Sequence, residues 1–487
     1  MLTNLLIIQI IFPLMGALVC FLLPKKLSWL FSTVIMLFTF GISLLLFKFS
    51  LNSEAIFYNL GSWSSSVGIE YKLDKLNSFF IMLVSFSNLV NILAMRNLVS
   101  YELKEDKSPL FFGLFLLSMT GLIGVSISND IFNIYVLLEV NAISSYALVA
   151  SSKNPLSKKA AFDYLIFGTI GSTFILFGIG FIYALVGSLN LTEISYIVPG
   201  LFENKALVAG IILMFIGILM KATLFPLSNW LVNIYQISPS FVSAMLSSTS
   251  NKVGIYLIIR LFFDVFKLNN DQFEYLEIIL LILAIIAIFS CAILALKQTN
   301  VKKFLAYSSL SQIGFIILSI ALASEAAISG ALIYSLTHSL EKICLFLSLG
   351  YCVMYYTASE EVSSFGGIAR VNPWIAILII INLLSSVGMP LTAGFIGKWQ
   401  IFKAALASDI WYILIVSVAV LFTFSYVFKF VEVLILQKPI SEEKVVLRKD
   451  SCLIVVTLLT ILNLYIGTNH QFLLDLAKNI SQMVLMK

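Results

Sequence analysis

The feature that most constrains this chain is a succession of apolar segments, each about twenty residues long and almost free of charge, running from one end of the sequence to the other. A segment of that length crosses the roughly 30 Å hydrocarbon layer of a bilayer as a helix, and helices and closed barrels alone satisfy their own backbone there. On this rule the spans fall near 5–23, 28–47, 76–95, 109–128, 130–150, 162–186, 206–227, 239–260, 275–296, 303–322, 326–354, 372–400 (long and interrupted), 410–436 and 451–469. The fold class expected is all-α integral membrane, with about fourteen transmembrane helices and the lipid bilayer as solvent. A soluble chain of 487 residues would break its apolar runs with polar surface positions, whereas this one is 60% hydrophobic and 11% charged, with a mean hydropathy of +1.02.

Composition also excludes several functions. A net charge of +5 is small for this length, so nucleic acid is not an expected partner. Cys20, Cys291, Cys344, Cys352 and Cys452 lie in or beside apolar segments without metal-ligand or disulfide spacing and are read as small core residues. Phosphate loops, dinucleotide fingerprints and haem or iron–sulfur ligand sets are missing, so no cofactor is expected and redox chemistry within the chain is disfavoured. The stretch from Leu5 lacks a basic leader and a small-residue cleavage site, and is expected to be the first span. The longest polar stretches, Ser50–Lys75 and Gln437–Asp450, are too short to bury a core of their own.

Basic residues in short loops orient a membrane chain. Lys25 and Lys26; Arg96, Lys104 and Lys107; Lys153, Lys158 and Lys159; Lys297, Lys302 and Lys303; and Lys438, Lys444, Arg448 and Lys449 occupy alternate loops. That face is predicted to be cytoplasmic, which puts both termini on the outer side.

An ionisable group at the bilayer centre costs about 2.5–3.5 kcal/mol even on permissive insertion scales, so each needs a partner, water or a function. Glu139, Lys221, Lys252, His338, Lys342 and Lys398 occupy such positions, one or two per helix on five helices. Burial disfavours the charged form of each, and an opposite charge nearby restores it, so a buried Glu and Lys can pair, or separate and exchange protons. His338 and Lys342, four apart, share a helix face, with Glu341 on the same turn. Lys429 and Glu432, three apart near a helix end, are expected to pair or reach the interface. Two of the charged helices also carry breaks. Pro226 cannot donate to the carbonyl of Ala222, and Gly388, Pro390, Gly394 and Gly397 crowd the segment before Lys398. Interrupted helices in corresponding halves of a repeat-built transporter point to its transport site.

At these residues the chain resembles the antiporter-like membrane subunits shared by Mrp-type monovalent cation/proton antiporters and by the NADH–quinone oxidoreductase of respiratory complex I. The stretches that carry the resemblance are FNIYVLLEVNAISSYAL, KATLFPLSNWL, SPSFVSAMLSSTSNKVGIYLIIR, VKKFLAYSSLSQIGFI, HSLEKICLFLSLG and VGMPLTAGFIGKW, and STSNKVGIYLIIR looks closest to the D subunit of the Mrp type. The resemblance implies two inverted five-helix repeats, each with one broken helix. It implies a proton relay through Glu139, Lys221, Lys252, His338, Lys342 and Lys398, and a chain divided into N-terminal helices (1–108), a proton-translocating core (109–436) and a C-terminal loop with the last span (437–487).

The implied partners are other membrane subunits of a hetero-oligomeric antiporter or respiratory complex, with protons and a monovalent cation, Na+, as cargo, in a bacterial inner membrane. Three functions stay open. They are an antiporter subunit, a proton-pumping subunit of NADH–quinone oxidoreductase or a membrane-bound hydrogenase with no redox centre of its own, and a non-conducting scaffold. The family pattern is broken at Ser228, where a His is usual, at Trp230 to Ile234, where WLPDA is usual, and at Asn300, where an Asp is usual.

Overall fold

Helix dominates the computed structural model, which describes residues 2–52, 54–65, 67–103, 108–267, 270–438 and 450–485. Lys104, Lys107, Lys444, Arg448 and Lys449 of the charge-bias argument, and both terminal residues, lie outside the described residues.

In chain order, α1 (Leu2–Leu22) and α2 (Lys25–Asn52) lead into strands β1 (Ile56–Asn59) and β2 (Glu70–Leu73), then α3 (Lys75–Ala94), α4 (Arg96–Glu102), α5 (Ser108–Ile127), α6 (Ile131–Ala150), α7 (Ser157–Val186) and α8 (Leu191–Ile197). After α9 (Lys205–Lys221) the helix stops and resumes at α10 (Leu231–Ile237). A π-turn at Leu246–Ser250 joins α11 (Ser240–Met245) to α12 (Asn251–Ile259), and a second at Arg260–Val265 ends that segment. There follow α13 (Asn270–Leu296), α14 (Val301–Ala321), α15 (Glu325–Cys352), α16 (Ile368–Val371), α17 (Pro373–Val387), α18 (Ala393–Ser408), α19 (Ile410–Leu436), α20 (Ser451–Thr468) and α21 (Gln471–Leu485).

Among the described residues, 11 helices are long and apolar enough to cross a membrane. The expected spans 206–227, 239–260 and 372–400 are instead built from shorter pieces, because their polar and Gly/Pro positions interrupt the helical ladder. Two elements are not anticipated by hydropathy. The loop after α2 folds back as a hairpin with Ile56 opposite Leu73 and Asn59 opposite Glu70, so the chain is not purely helical. Past the last expected span, α21 turns Leu473, Leu476, Ala477, Ile480 and Val484 inward at helical spacing and packs on α15.

The helices sort by burial. The apolar windows of α14 and α15 are 94% buried and those of α3 and α5 are 83% buried, against 28% for α19, whose Leu421, Phe424 and Phe428 face outward. Large apolar side chains also face outward on α1, α2, α7, α13 and α20, as lipid contact requires. At the centre, α15 touches α3, α11, α14, α17, α18, α20 and α21.

Small residues permit the closest approaches. Gly171 and Gly178 of α7 face Gly217 and Gly210 of α9, and a Cβ on Gly217 would lie 2.4 Å from the Gly171 carbonyl oxygen. A side chain there has to push α9, and Lys221 at its end, away from α7. Gly217→Ile is expected to destabilise the protein by about 1–3 kcal/mol, seen as a lowered thermal midpoint in mild detergent. A midpoint equal to wild type would show that α7 and α9 do not need this contact.

Candidate functional site

Local backbone irregularities create the site. In the π-turn of Leu246–Ser250 the i→i+4 pattern lapses, and the Ser247 carbonyl accepts from Lys252 Nζ at 2.8 Å. The same amine lies 2.5 Å from His338 Nδ1, and both residues are wholly buried. His338 Nε2 is 3.2 Å from Ser309 Oγ, and Lys342 Nζ donates to Ser308 Oγ at 2.6 Å. The adjacent hydroxyls of α14 therefore meet the imidazole and ammonium that α15 presents one turn apart. Ser339 Oγ ties α15 to the π-turn by donating to the Ser248 carbonyl at 2.8 Å.

A lysine that donates to Nδ1 requires the imidazole proton on Nε2, where Ser309 can accept it. When Lys252 gives up its proton, the amine can accept from Nδ1–H instead. A proton passed from Lys252 to Nδ1 leaves an amine and an imidazolium, and the neutral ring returns in its other tautomer when Nε2 gives its proton up on the Ser309 side, so the contact can pass one proton without moving a helix.

Lys221 stands at the end of α9 with its Nζ 3.7 Å from Glu139 Oε1 of α6, and Ser172 of α7 donates to that same oxygen. Pro226 lies within the non-helical link 222–230. The helix has already ended at Lys221, where the Met220 carbonyl accepts from the Thr223 N–H at 3.2 Å, and in the link Ser228 Oγ donates to that same carbonyl at 3.4 Å. The segment bearing Lys252 passes this break closely: a Cβ on Gly254 would lie 2.6 Å from the Ala222 backbone. Beside Lys221 is a cavity of ≈ 40 Å³ lined by Asn141, Tyr146, Lys221, Thr223, Ser250 and Asn251 among others. The hydroxyls of Tyr146, Thr223 and Ser250 make no hydrogen bond among the described residues. The walls are mostly apolar, but these hydroxyls with Asn141, Asn251 and Lys221 give polar partners in a space above about 15 Å³, enough for a water molecule.

Lys398 is on α18, where its Nζ donates to the Ser386 and Val387 carbonyls at 2.7 and 3.2 Å and lies 4.5 Å from the centre of the Phe315 ring. Those carbonyls are freed where α17 ends at Val387 and is capped by Gly388, whose φ of +91° is open to glycine; Pro390 follows in the link, and Gly394 lies in the first turn of α18. The six expected residues therefore form three groups, Glu139–Lys221, Lys252–His338–Lys342 and Lys398. Lys429 is exposed, in keeping with a side chain that reaches the interface, and donates to the Leu296 carbonyl at 2.6 Å.

Both ends of the Ser240–Val265 segment carry charges that hydropathy and motif spacing leave unassigned. At one end Arg260 donates to Asp74 at 2.7 and 2.8 Å and to Asp264 at 2.5 Å, while Lys72 lies 3.5 Å from Asp74 and 3.4 Å from Asp264. Burial alone would raise the Asp74 carboxyl, but Arg260 and Lys72 hold it well below the usual carboxylate range. The i,i+4 spacing of Arg260 and Asp264 was the one sequence signal available. At the opposite end Glu102 accepts from the Ser240 N–H at 2.5 Å and its hydroxyl at 2.7 Å, and burial pushes this carboxyl up, with Lys302 and the two Ser240 bonds opposing. Lys302, counted above as a loop charge, is buried, pairs with Glu360 at 2.8 Å and donates to the Ser238 carbonyl. Asn300 caps α14 through the Lys303 N–H as an Asp would, and it also donates to Glu360 at 3.3 Å.

Comparison with known proteins gives this arrangement a family. Residues 128–423 match the family described as NADH:quinone oxidoreductase/Mrp antiporter, transmembrane. The chain is 32% identical to the N subunit of the NADH-quinone oxidoreductase of Desulforudis audaxviator over 77% of its own length and 74% of the relative's. It is 28% identical to the D subunit of the Na(+)/H(+) antiporter of Alkalihalophilus pseudofirmus over 74% of this chain and 72% of that one. In structure it resembles a chain of an archaeal membrane-bound sulfane sulfur reductase, with a TM-score of 0.90 at 27% identity over 99% of this chain and 97% of the other. A multi-pass membrane protein by its helices and a match to the family across most of its buried charges, the chain belongs to the NADH:quinone oxidoreductase/Mrp antiporter transmembrane family.

Proposed function

We propose that this protein is a membrane subunit that translocates protons through Glu139, Lys221, Lys252, His338, Lys342 and Lys398 within a multisubunit antiporter exchanging a monovalent cation, Na+, for protons. The observation that carries the reading is the fully buried contact of Lys252 with His338, two bases 2.5 Å apart with a third, Lys342, one turn along α15. A scaffold gains nothing that offsets the desolvation of three such groups. A relay needs them. The cavity lined by Lys221 and by Asn251, the neighbour of Lys252, supports a hydrated link from Lys221 to this centre.

The proposal includes fourteen spans, three of them composite: α9 with α10, α11 with α12, and α17 with α18. It also includes two inverted five-helix repeats interrupted near Pro226 and near Gly388, Pro390 and Gly394, with 1–108 preceding the translocating core 109–436 and 437–487 following it. The membrane is a bacterial inner membrane, with both termini on its outer side. A second reading, a proton-pumping subunit coupled to quinone reduction elsewhere, draws support from the likeness to the N subunit of an NADH-quinone oxidoreductase. Subunits co-purifying in mild detergent separate the two: small antiporter subunits support the first, dehydrogenase and iron–sulfur subunits the second.

Three outcomes are expected. Lys252→Ala abolishes cation-driven proton movement in everted vesicles while the protein still inserts; full exchange by that variant would remove Lys252 from the relay. Reporters active only in the cytoplasm and fused to either terminus stay silent, and a strong signal from either overturns the topology.

The third concerns Glu139 and Lys221 as a coupled pair. Breaking a fully buried ion pair costs about 3–5 kcal/mol, and less here because 15% of the Lys221 side chain and 22% of the Glu139 side chain are exposed. In a double-mutant cycle, Glu139→Gln and Lys221→Met are each expected to destabilise the protein, with the double variant nearer to wild type than either. Additive losses would mean that the two charges act separately.

A further inference from the structure

Among the described residues, Glu341 is the one carboxylate beside Lys252, His338 and Lys342 in the buried centre, and the relay above does not use it. It lies wholly buried on α15, directly before Lys342. Successive helical residues point about 100° apart, so Lys342 faces α14 through Ser308 while Glu341 faces α17, where Ser385 Oγ donates to its Oε1 at 2.6 Å. Its other oxygen, Oε2, is buried with no hydrogen-bond partner among the described residues. Leaving one lone-pair set of a buried carboxylate unmet is costly unless the group also exists in a protonated form or is met transiently. Lys342, Lys398 and Lys252 are the charged groups within electrostatic reach of it, with Tyr334, Tyr426 and Cys344 the titratable neighbours.

Ser385 is placed to sense whether Glu341 carries a proton. Its single hydroxyl hydrogen has two acceptors, Glu341 Oε1 at 2.6 Å and Asn463 Oδ1 at 3.2 Å, and its oxygen receives the Gly394 N–H at 3.2 Å. Asn463 Oδ1 also accepts from the Ala393 N–H at 2.9 Å. With Glu341 ionised, the hydroxyl points at the carboxylate. With Glu341 protonated, the acid donates to Ser385 Oγ and the hydroxyl turns to Asn463, so every donor in the set still has an acceptor. Both arrangements act on the link between α17 and α18, and the next residues, Ser386 and Val387, supply the carbonyls that hold Lys398.

We propose that Glu341 is a proton-carrying residue of the relay, interposed between Lys342 and Lys398, with Ser385 as a positioning residue that couples its protonation to the α17–α18 link. This rests on the relay reading above. Lys342 Nζ rests on Ser308 and Glu341 Oε2 has no partner among the described residues, so a turn of the Lys342 side chain or an intervening water carries the ammonium proton to the Glu341 carboxylate, leaving an amine and a carboxylic acid. The acid then gives that proton to a deprotonated Lys398, and the carboxylate is restored. Each transfer is isolated from lipid by the surrounding helices, and in the intermediate both members of the Glu341–Lys342 pair are neutral, which a low dielectric favours.

The test uses the complex with its co-purified subunits in proteoliposomes. Proton movement is driven by a Na+ gradient, or by NADH where dehydrogenase subunits are present. Glu341→Gln keeps the shape and an oxygen for Ser385 but cannot carry a proton, and is expected to slow transport by about two orders of magnitude with assembly intact. Glu341→Asp, which keeps the acid, is expected to retain much of the rate with a displaced pH profile. Wild-type transport by Glu341→Gln alongside an inactive Lys252→Ala overturns the role of Glu341 and leaves the relay standing. Wild-type transport by Lys252→Ala overturns the relay reading itself. If the Gln variant does not assemble, the Asp variant decides: a pH profile identical to wild type excludes Glu341.

Discussion

The contact between the Lys252 amine and the His338 imidazole organises the centre of this protein. Two bases at 2.5 Å inside a low-dielectric bundle repel one another when both are charged, so they share a proton rather than hold one each. The protein supplies the Ser247 carbonyl to the amine and the Ser309 hydroxyl to the ring. α14 and α15 are accordingly the most deeply enclosed of the long helices, since they carry the groups that lipid cannot touch.

Backbone discontinuity provides the remaining ligands. An unbroken helix spends its carbonyls on its own amides, leaving none for an ammonium group. The π-turn before Lys252 frees the Ser247 carbonyl, and the end of α17 frees those of Ser386 and Val387 for Lys398. At the end of α9 the Met220 carbonyl is met by Ser228, and Lys221 turns to a carboxylate on another helix. Irregular backbone at membrane depth is tolerated when it is enclosed by protein or lines a cavity, and each of these positions meets that condition.

The segment that bears Lys252 is held at both ends. Glu102 accepts the first N–H and the hydroxyl of Ser240, and Arg260 with Asp264 is bound to Asp74 and Lys72 at the other end. With its ends clamped by charge-assisted bonds, this segment is poorly suited to rigid sliding. Rearrangement is cheaper in side-chain protons and hydroxyl rotors, and at the links after α9 and α17, where the backbone is not committed to a ladder. One end of the segment thus depends on hydrogen bonds to a carboxylate and the other on ion pairs, while its middle carries the contact between Lys252 and His338.

Much was legible in one dimension. Hydropathy is a property of consecutive residues, so the bilayer, most spans and the membrane depth of Glu139, Lys221, Lys252, His338, Lys342 and Lys398 follow from the sequence alone, as do Pro and Gly positions that interrupt helices beside Lys221 and Lys398. What the sequence could not determine is which of these groups meet. Lys252 and His338 are 86 residues apart and Arg260 and Asp74 are 186 apart, and no local pattern records such pairings, because they are created when helices pack. For the same reason Lys302 counted as a loop charge until burial beside Glu360 became visible, α21 and the β1–β2 hairpin went unseen because they are short and only half apolar, and Glu341 stood merely as a neighbour of Lys342. Only the packing of α17 against α15 decided that its carboxylate faces Ser385 rather than lipid, since one residue along a helix turns a side chain by about 100° to another set of neighbours.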